Sequence, residues 1–294
     1  EKKFEIFSSI SKTENITMKI FNVGLIGYGK MGKVFANEIK RKNNFNLKKI
    51  LTRKILNKNL LSVKKFFNEK DIDVFIITSP IWTHFKYLRY AYEANKDIII
   101  EKPIVENLNQ FKKLLTLNKK FKKKILIHHN DLLNFEKDKT LKKFGKINNL
   151  RKIEMIYGKH ERYNSYKKPF FDWLPHPLAI ITNLFGKPNK FKILKYKKMK
   201  TKSKIKEYLD LSFTLNNFEV FLYFSNNLNK PSKKVIFYEN KKIKIYDGYL
   251  KKNQRTVKIL LEKYCNSKYI NDLNSNIDTY KLLFQIEKKL LKHS

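Results

Sequence analysis

The chain has 294 residues, 42% of them hydrophobic, a single cysteine, and 65 Lys plus Arg against 26 Asp plus Glu, a formal net charge of +39. That apolar content excludes an intrinsically disordered chain, the length predicts two domains, and the lone Cys265 excludes an intrachain disulfide and fits a reducing compartment, the cytoplasm. The charge excludes less than its size implies: lysine is spread evenly alongside abundant Asn, Ile, Phe and Tyr, the bias of AT-rich codons. No RRM, KH, zinc-finger or helix-turn-helix pattern accompanies it, so no specific nucleic-acid partner is expected. No apolar run approaches the roughly 18 residues of a membrane helix, and no apolar h-region marks a secretory signal, so no membrane partner is expected either. Residues 1–17, before Met18, read either as a poorly ordered leader or as an upstream extension of the true start.

From Phe21 apolar runs alternate with helical patterns, the signature of a parallel sheet wound on both faces. FNVGLIGYG (21–29) predicts a strand feeding the helix MGKVFANEIKRK (31–42), and LKKILTRK (47–54) a second strand before a helix over 58–68. DVFIITSP (73–80) has the continuous Val, Phe and Ile run that burial on both faces requires. THFKYLRYAYEAN (83–95) is helical, DIIIEKP (97–103) a strand, 107–119 a helix and KKILIHHN (123–130) the closing strand. Beyond about residue 130 the period changes to two. INNLRKIEMIYG, FKILKYKKM, IKEYLDLSFTL, FEVFLYFS, KKVIFYE and KKIKIYD read as strands, with one helix over 175–185 and two more near 256–268 and 278–292. The expected fold class is α/β followed by α+β: a doubly wound parallel sheet over 18–127, then an open, mostly antiparallel sheet domain over 128–294.

Three of the chain's 8 glycines fall within Gly27-Tyr28-Gly29-Lys30-Met31-Gly32. This is G-x-G-x-x-G between a buried strand and a helix, the context that a dinucleotide-binding Rossmann unit demands. Gly27 permits the tight turn, Gly29 lets backbone approach a diphosphate, and Gly32 lets the helix pack close while its N-terminus faces the anion. The residue that reads the adenosine ribose belongs about 20 residues further on. There the chain has Leu51-Thr52-Arg53-Lys54, with no acid. Arg53 would pair with a 2′-phosphate and Thr52 donate to it, so the expected cofactor is NADP ahead of NAD. Ser79, Pro80, Trp82 and His84 follow the third strand, where a nicotinamide ribose would lie. His84 reads either as a cofactor contact or as support for a helix N-cap.

Glu101-Lys102-Pro103 ends a strand, and the carboxyl ends of strands line the ligand crevice of an open α/β sheet, which brings Glu101 and Lys102 to the cofactor. In DWLPHPLAI (172–180) two prolines share a helix's first turn, where backbone N–H groups have no intrahelical partner anyway. Pro175 then opens a helix, with His176 at its mouth and Asp172 close by. GYGKMG, ITSPIWTHFKYLRYAYEANKDIIIEKPI and DWLPHPLAI together resemble the Gfo/Idh/MocA oxidoreductase family, over the stretch from Met18 to Pro188. The resemblance implies that the E-K-P lysine, Lys102, serves substrate binding and proton handling, that the Lys-Pro bond is cis, and that a D-x-x-x-H helix maps onto Asp172 and His176. NDLLNF (130–135) and LFGKP (184–188) look most like the branch of sugar and nucleotide-sugar biosynthesis. Departures are Ile81 for the usual Asn, Asn95 for the usual Gly before the E-K-P strand, and Ala179 and Ile180 where a further acid often follows the histidine.

The implied activity is hydride transfer between a nicotinamide cofactor and a carbohydrate-type secondary alcohol or ketone: a sugar, nucleotide-sugar or cyclitol. Histidine titrates at about pH 6.5 and can act as both acid and base; Asp172 is expected to fix the tautomer of His176, and Lys102 to bind the reacting oxygen. The alternative is a non-catalytic, ligand-sensing protein of the same fold. His128 and His129 are adjacent on a strand end, face opposite ways and cannot share a metal, and none is expected. Tyr163 and Tyr166 are loop candidates for substrate hydroxyls. An exposed face on the second sheet predicts a homo-oligomer, dimer or tetramer, built by sheet packing.

Overall fold

A computed structural model describes residues 19–52, 60–137, 150–160, 168–200, 205–240, 242–248, 253–266 and 272–292. The proposed leader, Arg53, Tyr163 and Tyr166 lie outside the described residues.

The first sheet comprises β1 (Phe21–Ile26), β2 (Phe45–Leu51), β3 (Val74–Ile77), β4 (Asp97–Glu101) and β5 (Ile125–His128), all parallel, in the order β2-β1-β3-β4-β5. The order reverses between β1 and β3, the place where open sheets of this kind take ligands beyond the strands' carboxyl ends. Side chains alternate across it. Val23, Leu25, Val74, Ile76, Ile99 and Leu126 fill one core, and Phe75, Ile77, Ile98, Ile100, Ile125 and Ile127 the other. A sheet buried on both faces needs helices on both. α2 (Leu60–Phe67), α3 (His84–Glu93) and α4 (Leu108–Lys120) cover the second face through Phe67, Leu88 and Leu114. Asn95, just after α3, takes φ +55°, the left-handed conformation that a glycine would otherwise supply.

α1 (Lys30–Lys40) covers the first face through Phe35 and Ile39, but one helix is too narrow for five strands. The rest of that face is closed from the far end of the chain. α8 (Asn253–Asn266) contributes Val257, Leu260, Leu261 and Tyr264 to the same core. A division at residues 127 and 128 therefore cuts through one hydrophobic cluster.

The second sheet comprises β6 (Leu150–Gly158), β7 (Lys190–Lys200), β8 (Ile205–Thr214), β9 (Glu219–Ser225), β10 (Ser232–Glu239) and β11 (Ile243–Asp247), in the order β11-β10-β6-β9-β8-β7. Its pairs are antiparallel except the parallel β6–β9. Its inner face, including Ile153, Met155, Leu211, Leu222 and Phe237, packs into one core with α6 (Pro169–Trp173), α7 (Pro175–Ile180) and α10 (Ile277–Leu290), which follows the short α9 (Asp272–Ser275). The helix expected over 175–185 is α7 followed by a π turn over Ile181–Phe185, and the short α6, not expected from the sequence, precedes it. Pro175 and Pro177 have no N–H to donate backwards, so the ladder lapses after Leu174 N donates to Phe170 O (2.8 Å) and resumes with Leu178 N to Leu174 O (3.0 Å). α5 (Asn130–Lys137) leaves β5 and runs alongside α7 between the two sheets.

Candidate active site

The glycine turn is tied to the ends of two neighbouring strands. Gly27 N donates to Leu51 O at 2.9 Å, and Thr78 Oγ1 donates to Gly27 O at 3.0 Å. Gly27 has φ +91°, and a Cβ there would stand 2.8 Å from Ser79 N, so only glycine fits. At Gly32 a Cβ would lie 2.3 Å from Gly27 O: α1 rests directly on the turn. Gly29 differs. It precedes α1 with ordinary backbone angles (φ −79°, ψ −158°), and a Cβ there would meet nothing within 4 Å. The first turn of α1 holds no acid, and no side chain caps it, so the positive end of the helix faces open space. Donor chemistry and room fit the diphosphate of a dinucleotide. Tyr28 and Lys30 are exposed and Met31 half-buried along this turn; Thr52, half-buried, follows β2 with no acid beside it in sequence.

On the neighbouring loop, Ser79 Oγ and Thr83 Oγ1 share a hydrogen bond of 2.7 Å, and Pro80 leads a short 3-10 turn, Ile81–Thr83. Ile81, in place of asparagine, is buried, whereas Trp82 is 56% exposed. His84 opens α3 with both ring nitrogens engaged: its Nδ1 meets Pro103 O at 2.8 Å and its Nε2 meets Ser79 O at 2.7 Å. Both partners are acceptors, so the ring spans the loops after β3 and β4 by donating to their carbonyls, while burial pushes its pKa down against the pull of both carbonyls and of Glu101.

Glu101 is also engaged. Its Oε1 accepts from His128 Nδ1 at 2.5 Å, across paired positions of β4 and β5, and His128 Nε2 meets Thr256 Oγ1 of α8 at 2.9 Å. The carboxylate placed at the cofactor by its position thus serves to hold β4, β5 and α8 together. Lys102, next along, turns the other way. Its Nζ donates to Asp172 Oδ1 and to Asp172 O, each at 2.8 Å, and its bond to Pro103 is cis. An ammonium from the first sheet and a carboxylate from α6 therefore meet across the domain junction. Burial works to raise the Asp172 carboxyl, but Lys102, backed by Lys159 and Lys233, outweighs it and holds the group below its usual range.

His176 is 6% exposed, and its carboxylate neighbour is not the one expected from chain order. Asp172, bonded to Lys102, does not orient it. The acid beside the ring is Asp131, whose Oδ2 lies 3.6 Å from His176 Nδ1 and whose Oδ1 accepts from Lys233 Nζ at 2.9 Å. Trp173 lies edge-on to the imidazole, ring centroids 6.4 Å apart, with Lys233 Nζ 5.7 Å over the indole. Burial first, then Lys233, Lys102, His129 and His128, hold the His176 pKa well below the imidazole range, so the ring is neutral and able to accept a proton. Asp131 was missed because it lies 45 residues from His176 in sequence; its signal was an acid among apolar residues in NDLLNF, directly after the last strand.

His129 sits beside this group with both ring nitrogens buried and unpartnered, and burial, aided by Lys102, His128 and Lys263, pushes its pKa down to about 3. A folded-state value below the unfolded one means that the unfolded chain binds the proton first, so stability falls as pH drops from about 6.5 towards 3. Between pH 6.5 and 4.5 this one ring is expected to cost about 2 kcal/mol. Urea titrations of the wild type and His129→Leu at both pH values check it: the variant should lose that much less stability, and equal losses would refute the assignment.

A Rossmann-like parallel sheet and a second, mostly antiparallel sheet meet at one polar junction. Residues 21–129 match the Gfo/Idh/MocA oxidoreductase family, NAD-binding Rossmann fold. The chain is 26% identical over 198 residues to the uncharacterized oxidoreductase YdgJ of Escherichia coli, covering 56% of this chain and 54% of that protein, so it spans about half the length of that curated relative. Solved structures of the same fold include an NAD binding oxidoreductase from Klebsiella pneumoniae (TM-score 0.74, 13% identity, 94% and 98% of the two chains). UDP-N-acetylglucosamine 3-dehydrogenase GnnA from Acidithiobacillus ferrooxidans aligns with TM-score 0.73, 14% identity and 91% and 97% coverage. A Synechocystis biliverdin reductase, determined with biliverdin and NADP+, aligns with TM-score 0.69, 14% identity and 91% and 98% coverage. No helix among the described residues is long and apolar enough to cross a membrane.

Proposed function

We propose that this protein transfers a hydride between a nicotinamide cofactor, NADP ahead of NAD, and a secondary alcohol or ketone on a carbohydrate such as a sugar, nucleotide-sugar or cyclitol. The observation that carries this reading is the convergence of Lys102 and Asp172 at 2.8 Å, from two different domains, beside the buried, neutral His176. A bound nicotinamide supplies the hydride acceptor or donor. Lys102 presents its ammonium to the reacting oxygen and stabilises alkoxide character there. Asp172 holds that ammonium in place through two bonds, one from its carboxylate and one from its backbone. His176 takes the hydroxyl proton in oxidation and returns it in reduction. The absence of an acid after β2 at Thr52 favours a phosphorylated ribose. GnnA, named as a nucleotide-sugar dehydrogenase, supports the carbohydrate class; the biliverdin reductase, on the same fold, is why a tetrapyrrole belongs in the assay.

Titration calorimetry with NADPH and NADH, followed by absorbance assays at 340 nm against nucleotide-sugars, free sugars, cyclitols and biliverdin, tests the reading. NADPH binding with turnover of a carbohydrate is the expected result. Cofactor binding without turnover of anything would favour the ligand-sensing alternative, and no cofactor binding would remove both. The free, half-buried Cys265 fits a reducing cytoplasm. The outer face of the second sheet leaves Tyr223, Ile243 and Ile245 exposed, and a second copy of the chain is the occupant proposed for it. Sedimentation should find a dimer or tetramer that Ile245→Lys weakens; a wild-type monomer would refute the assembly.

A further inference from the structure

We propose that Asp131, on the first turn of α5, is the positioning residue of His176: it accepts the Nδ1 proton and so leaves Nε2 free to exchange a proton with substrate. The catalytic half of this statement rests on the reading of His176 as the acid–base group; the pairing itself stands on geometry. Asp131 is 1% exposed, and a carboxylate so buried requires partners for both oxygens. Lys233 supplies one at 2.9 Å. The other oxygen, Oδ2, has no hydrogen-bond donor, and His176 Nδ1, 3.6 Å away, has no acceptor. Two complementary atoms thus face each other, both buried and both unsatisfied, less than about 1 Å beyond bonding distance. Catalytic hydrogen bonds are often long without substrate and tighten when it binds.

The other groups around the ring leave no rival. Lys102 after β4, His128 and His129 at the end of β5 and Lys233 on β10 all disfavour a charged imidazole. Asp172 is bonded to Lys102, and the buried Tyr157 on β6, pushed well above its usual range by burial and then by Asp131 and Tyr246, stays a neutral phenol. Among the described residues Asp131 is the carboxylate within 4 Å of His176. Lys233 further fixes how it is used. With Oδ1 taken by an ammonium, Oδ2 is the oxygen that turns to the ring.

That arrangement makes Asp131→Asn diagnostic. The amide oxygen must take the Lys233 side, which turns the NH2 towards His176 Nδ1 and demands an acceptor there. Nitrogen-15 NMR of the full chain with labelled histidine, the His176 signals identified by their loss in His176→Gln, reads the tautomer without any activity. The wild type is expected to carry its proton on Nδ1 and Asp131→Asn on Nε2. With an active substrate, kcat in Asp131→Asn should fall about 100-fold and the acid limb of its pH profile should move to lower pH, with cofactor Kd unchanged. An Nε2–H wild type, or an Asp131→Asn variant that keeps Nδ1–H, would overturn the proposal. Should that variant not fold, Lys233→Met decides. Losing the cation and freeing Oδ1 should raise the His176 titration by about one pH unit or more, with Nδ1–H retained; an unchanged titration overturns the pairing. Both tautomers as expected, in a protein that turns over no substrate, would establish the pairing and remove the acid–base reading alone.

Discussion

Lys102→Ala is expected to lower kcat about 10²–10³-fold, equivalent to roughly 3–4 kcal/mol at the barrier, with the Kd for NADPH changed less than about threefold. The size follows from what is lost: one pre-aimed cationic donor to an oxygen that gains charge only in the transition state. The split between kcat and Kd follows from position. Lys102 ends β4 and turns its Nζ to Asp172, whereas the diphosphate cradle lies at Gly27–Gly32, after β1. Stability should fall by about 1–3 kcal/mol, because removing a largely buried ammonium leaves both the Asp172 carboxylate and the Asp172 carbonyl without their donor. Thermal melting beside the kinetic assay separates the two effects. A folded Lys102→Ala protein with wild-type kcat would sink the assignment.

The second large effect contrasts two glycines three residues apart. Gly29→Asp is expected to leave the fold intact, or stabilise it by up to about 1 kcal/mol, because Asp is a favoured N-cap and suits the positive helix end. Its backbone angles suit any residue, and a Cβ there meets nothing within 4 Å. Yet the new carboxylate would stand where a diphosphate must approach, and the Kd for NADPH should rise 100-fold or more, at least about 2.7 kcal/mol. Gly32→Ala should do the reverse. Its Cβ would lie 2.3 Å from Gly27 O, a backbone atom, so α1 must lift from the turn at an overpacking cost of about 1–3 kcal/mol. Denaturant melts and calorimetry on both variants test this. A Gly29→Asp protein that still binds NADPH like the wild type would refute the cradle.

The strand order and the longer helices were legible because each element's period is local, whereas α5, α6 and α9 were not foreseen. Continuous Ile and Val runs marked β3 to β5, two-residue alternation marked β6 to β11, and glycine marked the turn before α1. The G-x-G-x-x-G turn was legible for the same reason, since one strand-to-helix turn dictates its spacing, whereas E-K-P and D-x-x-x-H were singled out by the family resemblance. The same locality misled at Asp172, paired with His176 on four-residue spacing, and left unread the partners of His84, the first residue of α3. Nothing along the chain marks Pro103 O as that ring's partner.

By itself, then, the sequence determined the two sheets and the glycine turn between β1 and α1. Tertiary structure decided who meets whom. α8 closes the first sheet's open face because five strands need more apolar cover than α1 provides. Asp172 pairs with Lys102, and Asp131 with Lys233 and His176, because buried charges take the nearest opposite partner in space, whatever their separation along the chain.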